Sequence, residues 1–140
     1  MNPAPMPYVT ALYAGILGLL LVVLGARVSA SRRKFGVGLG DGAREPLALV
    51  MRVHANAAEW TPIGLLLLLA AELNRSSHVL LHAWGTAFAV ARVAHAFGFS
   101  RSPGPSAGRA VGAALTYLLV ALLALWDIVV FVRTALAVGA

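Results

Sequence analysis

Residues 8–28 read YVTALYAGILGLLLVVLGARV, and Arg27 is the first charge in the chain. About 20 consecutive apolar residues, at 1.5 Å each, match the roughly 30 Å hydrocarbon core of a bilayer. A secretory signal carries its positive charge before a shorter apolar stretch. Here the charges follow the stretch, in Arg27 and the cluster Arg32-Arg33-Lys34. The run is therefore expected to be a permanent membrane helix with its N-terminus outside and its basic end in the cytoplasm.

Three further apolar runs follow, Leu47 to Leu73, Ser77 to Gly98 and Arg109 to Val132. The 140 residues are 60% hydrophobic and 11% charged, against roughly 45–50% and about 25% in soluble domains. The mean hydropathy is +0.84. These values exclude an ordinary soluble globule and leave room for four crossings. The expected architecture is one all-α membrane domain spanning 1–140, with helices at about 8–34, 47–73, 77–98 and 108–135.

The connections agree with this division. Gly36 to Pro46 is glycine-rich, with Gly40-Asp41-Gly42 as a turn and Pro46 suited to open a helix. Leu73 to Ser77 is a tight turn around Asn74, and Pro103 and Pro105 interrupt helix between the third and fourth runs. The two longer connections and their flanks hold Arg32, Arg33, Lys34, Arg44, Arg52, Arg92, Arg101 and Arg109, whereas the opposite side has Arg75 and Arg133. This asymmetry predicts both termini outside and the longer loops in the cytoplasm. The net charge of +6 is explained by these flanking cations. No basic stretch is interleaved with aromatics, so nucleic acid is excluded as a partner. The chain has no cysteine, which removes thiolate metal sites, disulfides and a cysteine nucleophile.

Charges inside the runs carry the functional signal, because each costs about 2.5–3.5 kcal/mol at a helix centre. Arg52, Asn56 and Glu59 are spaced i, i+4, i+7, an arc of roughly 60° at 100° per residue. They form one polar stripe offering a cation, an amide and a carboxylate, which suits a zwitterionic ligand. The competing reading makes Arg52 a snorkelling anchor, Asn56 interhelical glue and Glu59 the partner of Arg92. Arg92, His95 and Phe99 share a face of the third run. Arg92 suits a ligand carboxylate or Glu59 equally, and a lone histidine is more often a structural hydrogen-bonder. Trp60 adjoins the stripe and is placed to touch a ligand or simply to pack. By position, Arg32 and Arg109 read as topology and interface anchors. Asp127 has no sequence-local partner, and His78 and His82, four residues apart without a nearby acidic ligand, make only a weak metal signal. No metal is expected.

The run Arg52-Val53-His54-Ala55-Asn56-Ala57-Ala58-Glu59-Trp60-Thr61-Pro62 resembles the signature of the MAPEG superfamily, the membrane-associated proteins in eicosanoid and glutathione metabolism. Ser31 to Phe35 with Gly38 to Gly42 upstream, and Ala91 to Gly98 downstream, support the resemblance, the latter especially to the bacterial branch. It implies a left-handed four-helix bundle assembled as a homotrimer, with glutathione as co-substrate between subunits near the cytoplasmic side. By similarity, Glu59 faces the tripeptide's amino group and Arg52 a carboxylate, with Asn56 between them. Arg32 approaches from a neighbouring subunit, and Arg92 contributes to the same pocket. Trp60 and His95 complete the candidate binding set. Arg109 matches the arginine that stabilises the glutathione thiolate and is the candidate catalytic residue. Trp60 stands where many mammalian members have tyrosine, and His95 and Phe99 replace tyrosines of the eicosanoid-making branch, so eicosanoid specificity does not carry over.

The resemblance implies a bacterial inner-membrane glutathione transferase or peroxidase acting in detoxification on a lipophilic electrophile drawn from the bilayer. The alternatives are a non-catalytic lipid-binding or scaffold protein of the same fold and, less favoured, a small proton-coupled exporter using Glu59. Arginines at similar depth would keep that carboxylate ionised, which opposes the exporter.

Overall fold

The computed structural model describes residues 6–101 and 107–138, with side chains described for 6–98 and 110–137. The described residues form four helices, α1 (Tyr8–Phe35), α2 (Glu45–Leu73), α3 (His78–Arg101) and α4 (Ala107–Val138). The shortest has 24 residues, about 36 Å at 1.5 Å per residue, so each is long enough to cross a hydrocarbon core.

Local chemistry sets the helix ends. Gly36 adopts the left-handed conformation at φ 66°. Its N–H donates to the Arg33 carbonyl and that of Val37 to the Arg32 carbonyl, the Schellman arrangement that glycine permits without a Cβ clash. α2 starts at Glu45, ahead of the expected position, with Pro46 in its first turn where a missing N–H costs nothing. It then runs through Pro62, which withholds the N–H that the Ala58 carbonyl would otherwise receive. The far end of α2 repeats the Schellman pattern. The N–H groups of Arg75 and Ser76 donate to the carbonyls of Glu72 and Ala71, but the left-handed residue is Arg75, at φ 61°.

α2 and α3 form the centre of the bundle. α1 packs on both of them, α4 packs on both of them, and α1 and α4 do not meet among the described residues. The larger apolar cluster draws Val9, Tyr13 and Leu17 from α1, Leu68 and Ala71 from α2, Leu81, Trp84 and Phe88 from α3, and Leu123 from α4. Trp84 stacks on Phe88 with centroids 4.8 Å apart. A smaller cluster of Leu24, Val53, Ala57 and Ala96 lies towards the α1–α2 loop.

Much of the apolar surface faces outward, as at Leu19, Val22, Leu118, Leu125 and Phe131. In water such a surface would drive aggregation, and in lipid it is the expected exterior. Among the described residues, two helices, α1 and Ala110–Ala137 of α4, are long and apolar enough by composition to cross a membrane. α2 and α3 have the length but are interrupted by Arg52, Glu59 and Arg92.

Candidate functional site

The α2 stripe forms as the spacing predicts. Val53 and Ala57 turn inward and are buried, while Arg52 and Glu59 are exposed and Asn56 is half-buried. An Arg52 guanidinium nitrogen lies 3.4 Å from Glu59 Oε1, with the two side chains 62% and 51% exposed. A pair this open contributes little to stability and exchanges partners readily. Both charges are therefore available to a ligand carrying an amino group and a carboxylate.

Among the described residues Arg92 is the best-buried charge, at 1% exposure. One of its terminal nitrogens donates to Asn56 Oδ1 at 2.7 Å, and the other to Thr116 Oγ1 at 3.2 Å. Thr116 in turn donates to the Gly112 carbonyl at 2.7 Å. The chain of bonds ties α2, α3 and α4 together at one level. No carboxylate touches the guanidinium among the described residues, although Glu59 lies within its electrostatic range. Glu59 thus contacts Arg52 rather than Arg92. By binding Asn56 Oδ1, Arg92 fixes the amide orientation and leaves the Asn56 N–H groups facing the half-exposed stripe.

Arg32 is not extended into solvent. It curls over the α1–α2 loop and donates to the carbonyls of Val37, Gly38 and Gly40 at 3.5, 3.2 and 2.9 Å. Its other terminal nitrogen lies 3.5 Å from Met51 Sδ. Gly40 and Met51 line an open cavity of about 430 Å³ that also includes Asp41, Ala48, Arg52 and Ala55. Arg32 therefore shapes the loop wall of a cavity that holds Arg52.

The remaining candidates separate. Trp60 packs its ring on Tyr117, with centroids 4.8 Å apart at 51°. His95 is buried where α4 crosses α3. A Cβ on Gly112 would lie 2.7 Å from the His95 backbone, so glycine there sets the spacing of the two helices. Arg109 belongs to α4, and its side chain lies outside the described residues. Phe99 is likewise in α3 with its side chain outside them.

Sequence reasoning missed Thr116 and Tyr117, two hydroxyls on an otherwise apolar stretch of α4, and it missed Glu72. The Glu72 carboxylate accepts from the Val9 and Thr10 N–H groups at 2.9 and 2.7 Å, capping α1 from the end of α2. At the same end His78 bonds to the Tyr8 hydroxyl and His82 to that of Tyr13, at 2.9 and 3.1 Å. Both Asp127 carboxylate oxygens are buried without a hydrogen-bond partner among the described residues.

The sequence profile of the MAPEG family matches residues 10–129. The chain belongs to the MAPEG family. It is a membrane protein of that family, and the matched stretch contains every candidate residue from Arg32 to Arg109. Relatives in two Escherichia coli strains, K12 and O6:H1 (CFT073), both named inner membrane protein YecN, are 35% identical over 91 residues. That alignment covers 65% of this chain and 70% of each relative. In this MAPEG chain the signature stripe and the buried Arg92 converge on Asn56.

Proposed function

We propose that this MAPEG protein binds glutathione at the Arg52-Asn56-Glu59 face and transfers it, as a thiolate nucleophile, to a lipophilic electrophile. The observation that carries the reading is the exposed, loosely paired Arg52 and Glu59 flanking an amide whose orientation is fixed by Arg92. A zwitterionic tripeptide presents complementary charges. It would replace the 3.4 Å contact with a carboxylate on Arg52 and an amino group on Glu59. The Asn56 N–H groups would bind a ligand carbonyl, and Trp60 with Tyr117 would form an aromatic wall. Arg32 would act through the loop it holds, and His95 as packing beneath the site.

In this proposal all four helices cross the membrane as a left-handed bundle, both termini face outside, and the membrane is the bacterial inner membrane, as the name of the relatives suggests. The site would be completed between subunits of a homotrimer. Arg109 would stand near the sulfur, where a permanent positive charge favours thiolate over thiol. The sulfur electron pair then forms the bond to the electrophilic carbon, and the leaving group departs with the displaced pair. An apolar electrophile reaches the sulfur by partitioning into the bilayer, so positioning supplies most of the acceleration.

Equilibrium binding of glutathione to the detergent-solubilised protein tests the reading. Saturable binding that Arg52→Ala weakens is the expected result. Absence of binding by protein with intact helical content would remove glutathione from the site.

A further inference from the structure

At the opposite end of the bundle, two cavities are linked by a hydrogen bond between their linings. The first, about 330 Å³, is an apolar slot between α3 and α4, floored by Ala83 and Ala87 and walled by Trp84, Leu119, Leu122 and Trp126. The second, about 220 Å³, is polar and includes Tyr8, Glu72, Arg75, Ser76 and His78. Trp126 Nε1 donates to Ser76 Oγ at 2.9 Å, joining the slot to the polar cavity. The result is an amphipathic groove with an apolar run of about 10 Å along the helices, from Leu80 to Ala87.

The charge available at its polar end is positive. Glu72 lines the polar cavity, but its two oxygens are committed to the Val9 and Thr10 amides. The Arg75 guanidinium is exposed and makes no hydrogen bond or ion pair among the described residues. Arg133 lies seven residues beyond Trp126, on nearly the same face of α4 and farther towards this end. The backbone adds a separate indication. Arg75 occupies the left-handed position of a Schellman turn, where glycine is the default and a Cβ is disfavoured. A left-handed conformation at an arginine whose side chain has no partner among the described residues directs attention to an external one.

The geometry points to an anionic phospholipid as the occupant, with one acyl chain in the α3–α4 slot and its phosphate on Arg75, supported by Arg133. Small residues make the slot, Trp126 marks the level where apolar gives way to polar, and the cation stands just beyond it. Tryptophan and arginine occupy this order at a membrane interface. The inference goes beyond the glutathione reading. It uses none of the residues of that site, and it requires that α3 and α4 lie in the bilayer.

Native mass spectrometry of the purified protein, titrated with phosphatidylglycerol and separately with phosphatidylcholine, tests it. One tightly retained phosphatidylglycerol per chain is expected, with weaker retention of phosphatidylcholine. Arg75→Gly suits the left-handed backbone, so it keeps the fold. It should weaken phosphatidylglycerol binding roughly fivefold, the effect of one interfacial cation. Ala87→Phe, which fills the slot, should abolish retention of both lipids. Undiminished retention in both variants would overturn the proposal. So would displacement of the lipid by an equal concentration of inorganic phosphate, or an Ala87→Phe protein that keeps its lipid but changes subunit number, which would make the slot an interface between copies.

Discussion

Replacing Gly112 by alanine tests whether the α3–α4 crossing fixes the site. The new Cβ would lie 2.7 Å from the His95 Cα, Cβ and backbone nitrogen. Ordinary van der Waals contact begins at 3.4 Å, so α4 must retreat by about 0.7 Å, and two of the atoms in its way are backbone. Glycine to alanine in a helix is otherwise favourable by roughly 0.5–1 kcal/mol. Overpacking a tight contact costs about 1–3 kcal/mol, with the upper end apt where backbone cannot rotate aside. The expected net effect is a loss of about 2 kcal/mol. The displacement would also carry Thr116 away from Arg92, since Gly112 and Thr116 are bonded to each other one turn apart. Equilibrium unfolding in mixed micelles reads the change, with Gly15→Ala as the comparison. Nothing lies within 4 Å of a Cβ built on Gly15, so that variant should gain up to about 1 kcal/mol within a single chain. Gly112→Ala at or above the parent stability would refute the claim that backbone contact at His95 sets the helix spacing.

Asn56→Ala removes the acceptor of a buried charged donor and should cost about 2 kcal/mol or more in the same unfolding assay. Arg52→Ala, at an exposed pair, should stay within about 0.5 kcal/mol of the parent while weakening glutathione binding. Glu72→Gln leaves one amide oxygen where two charged oxygens capped α1, and should cost about 1–2 kcal/mol. Faster hydrogen exchange confined to the Val9 and Thr10 amides would locate the loss. Arg109→Ala should lower turnover with an electrophile far more than it lowers glutathione affinity, and steady-state kinetics beside equilibrium binding separates the two.

The helices and the α2 stripe were legible in the sequence because both are periodic and local. Apolar length announces α1, and the spacing of Arg52, Asn56 and Glu59 needs only the helical repeat. The partner of Arg92 was not legible. Glu59 offered the opposite charge, but it sits on the exposed flank of the stripe, whereas Asn56 faces half inward and meets the guanidinium. Choosing between residues three apart on one face depends on how α3 is rotated against α2, which the spacing within α2 does not encode. Glu72 escaped for a related reason. Its partners are amides 62 and 63 residues earlier, and no local pattern marks a carboxylate as the cap of a distant helix. The tyrosine–histidine bonds at that end are equally non-local. Gly36 could be anticipated as a helix stop, but an arginine in the equivalent position after α2 could not.

The two clamps on the α1–α2 pair also bear on the order in which the protein is made. Arg32 holds the loop at one end of this pair, and Glu72 joins its two free ends at the other. Every group involved lies at or before residue 72, so the hairpin can latch at both ends before α3 has left the ribosome. The α1 amides then need not wait in the membrane for a later helix to satisfy them. α3 and α4 are added to a preformed template, and α4, which does not touch α1 among the described residues, is free to dock last.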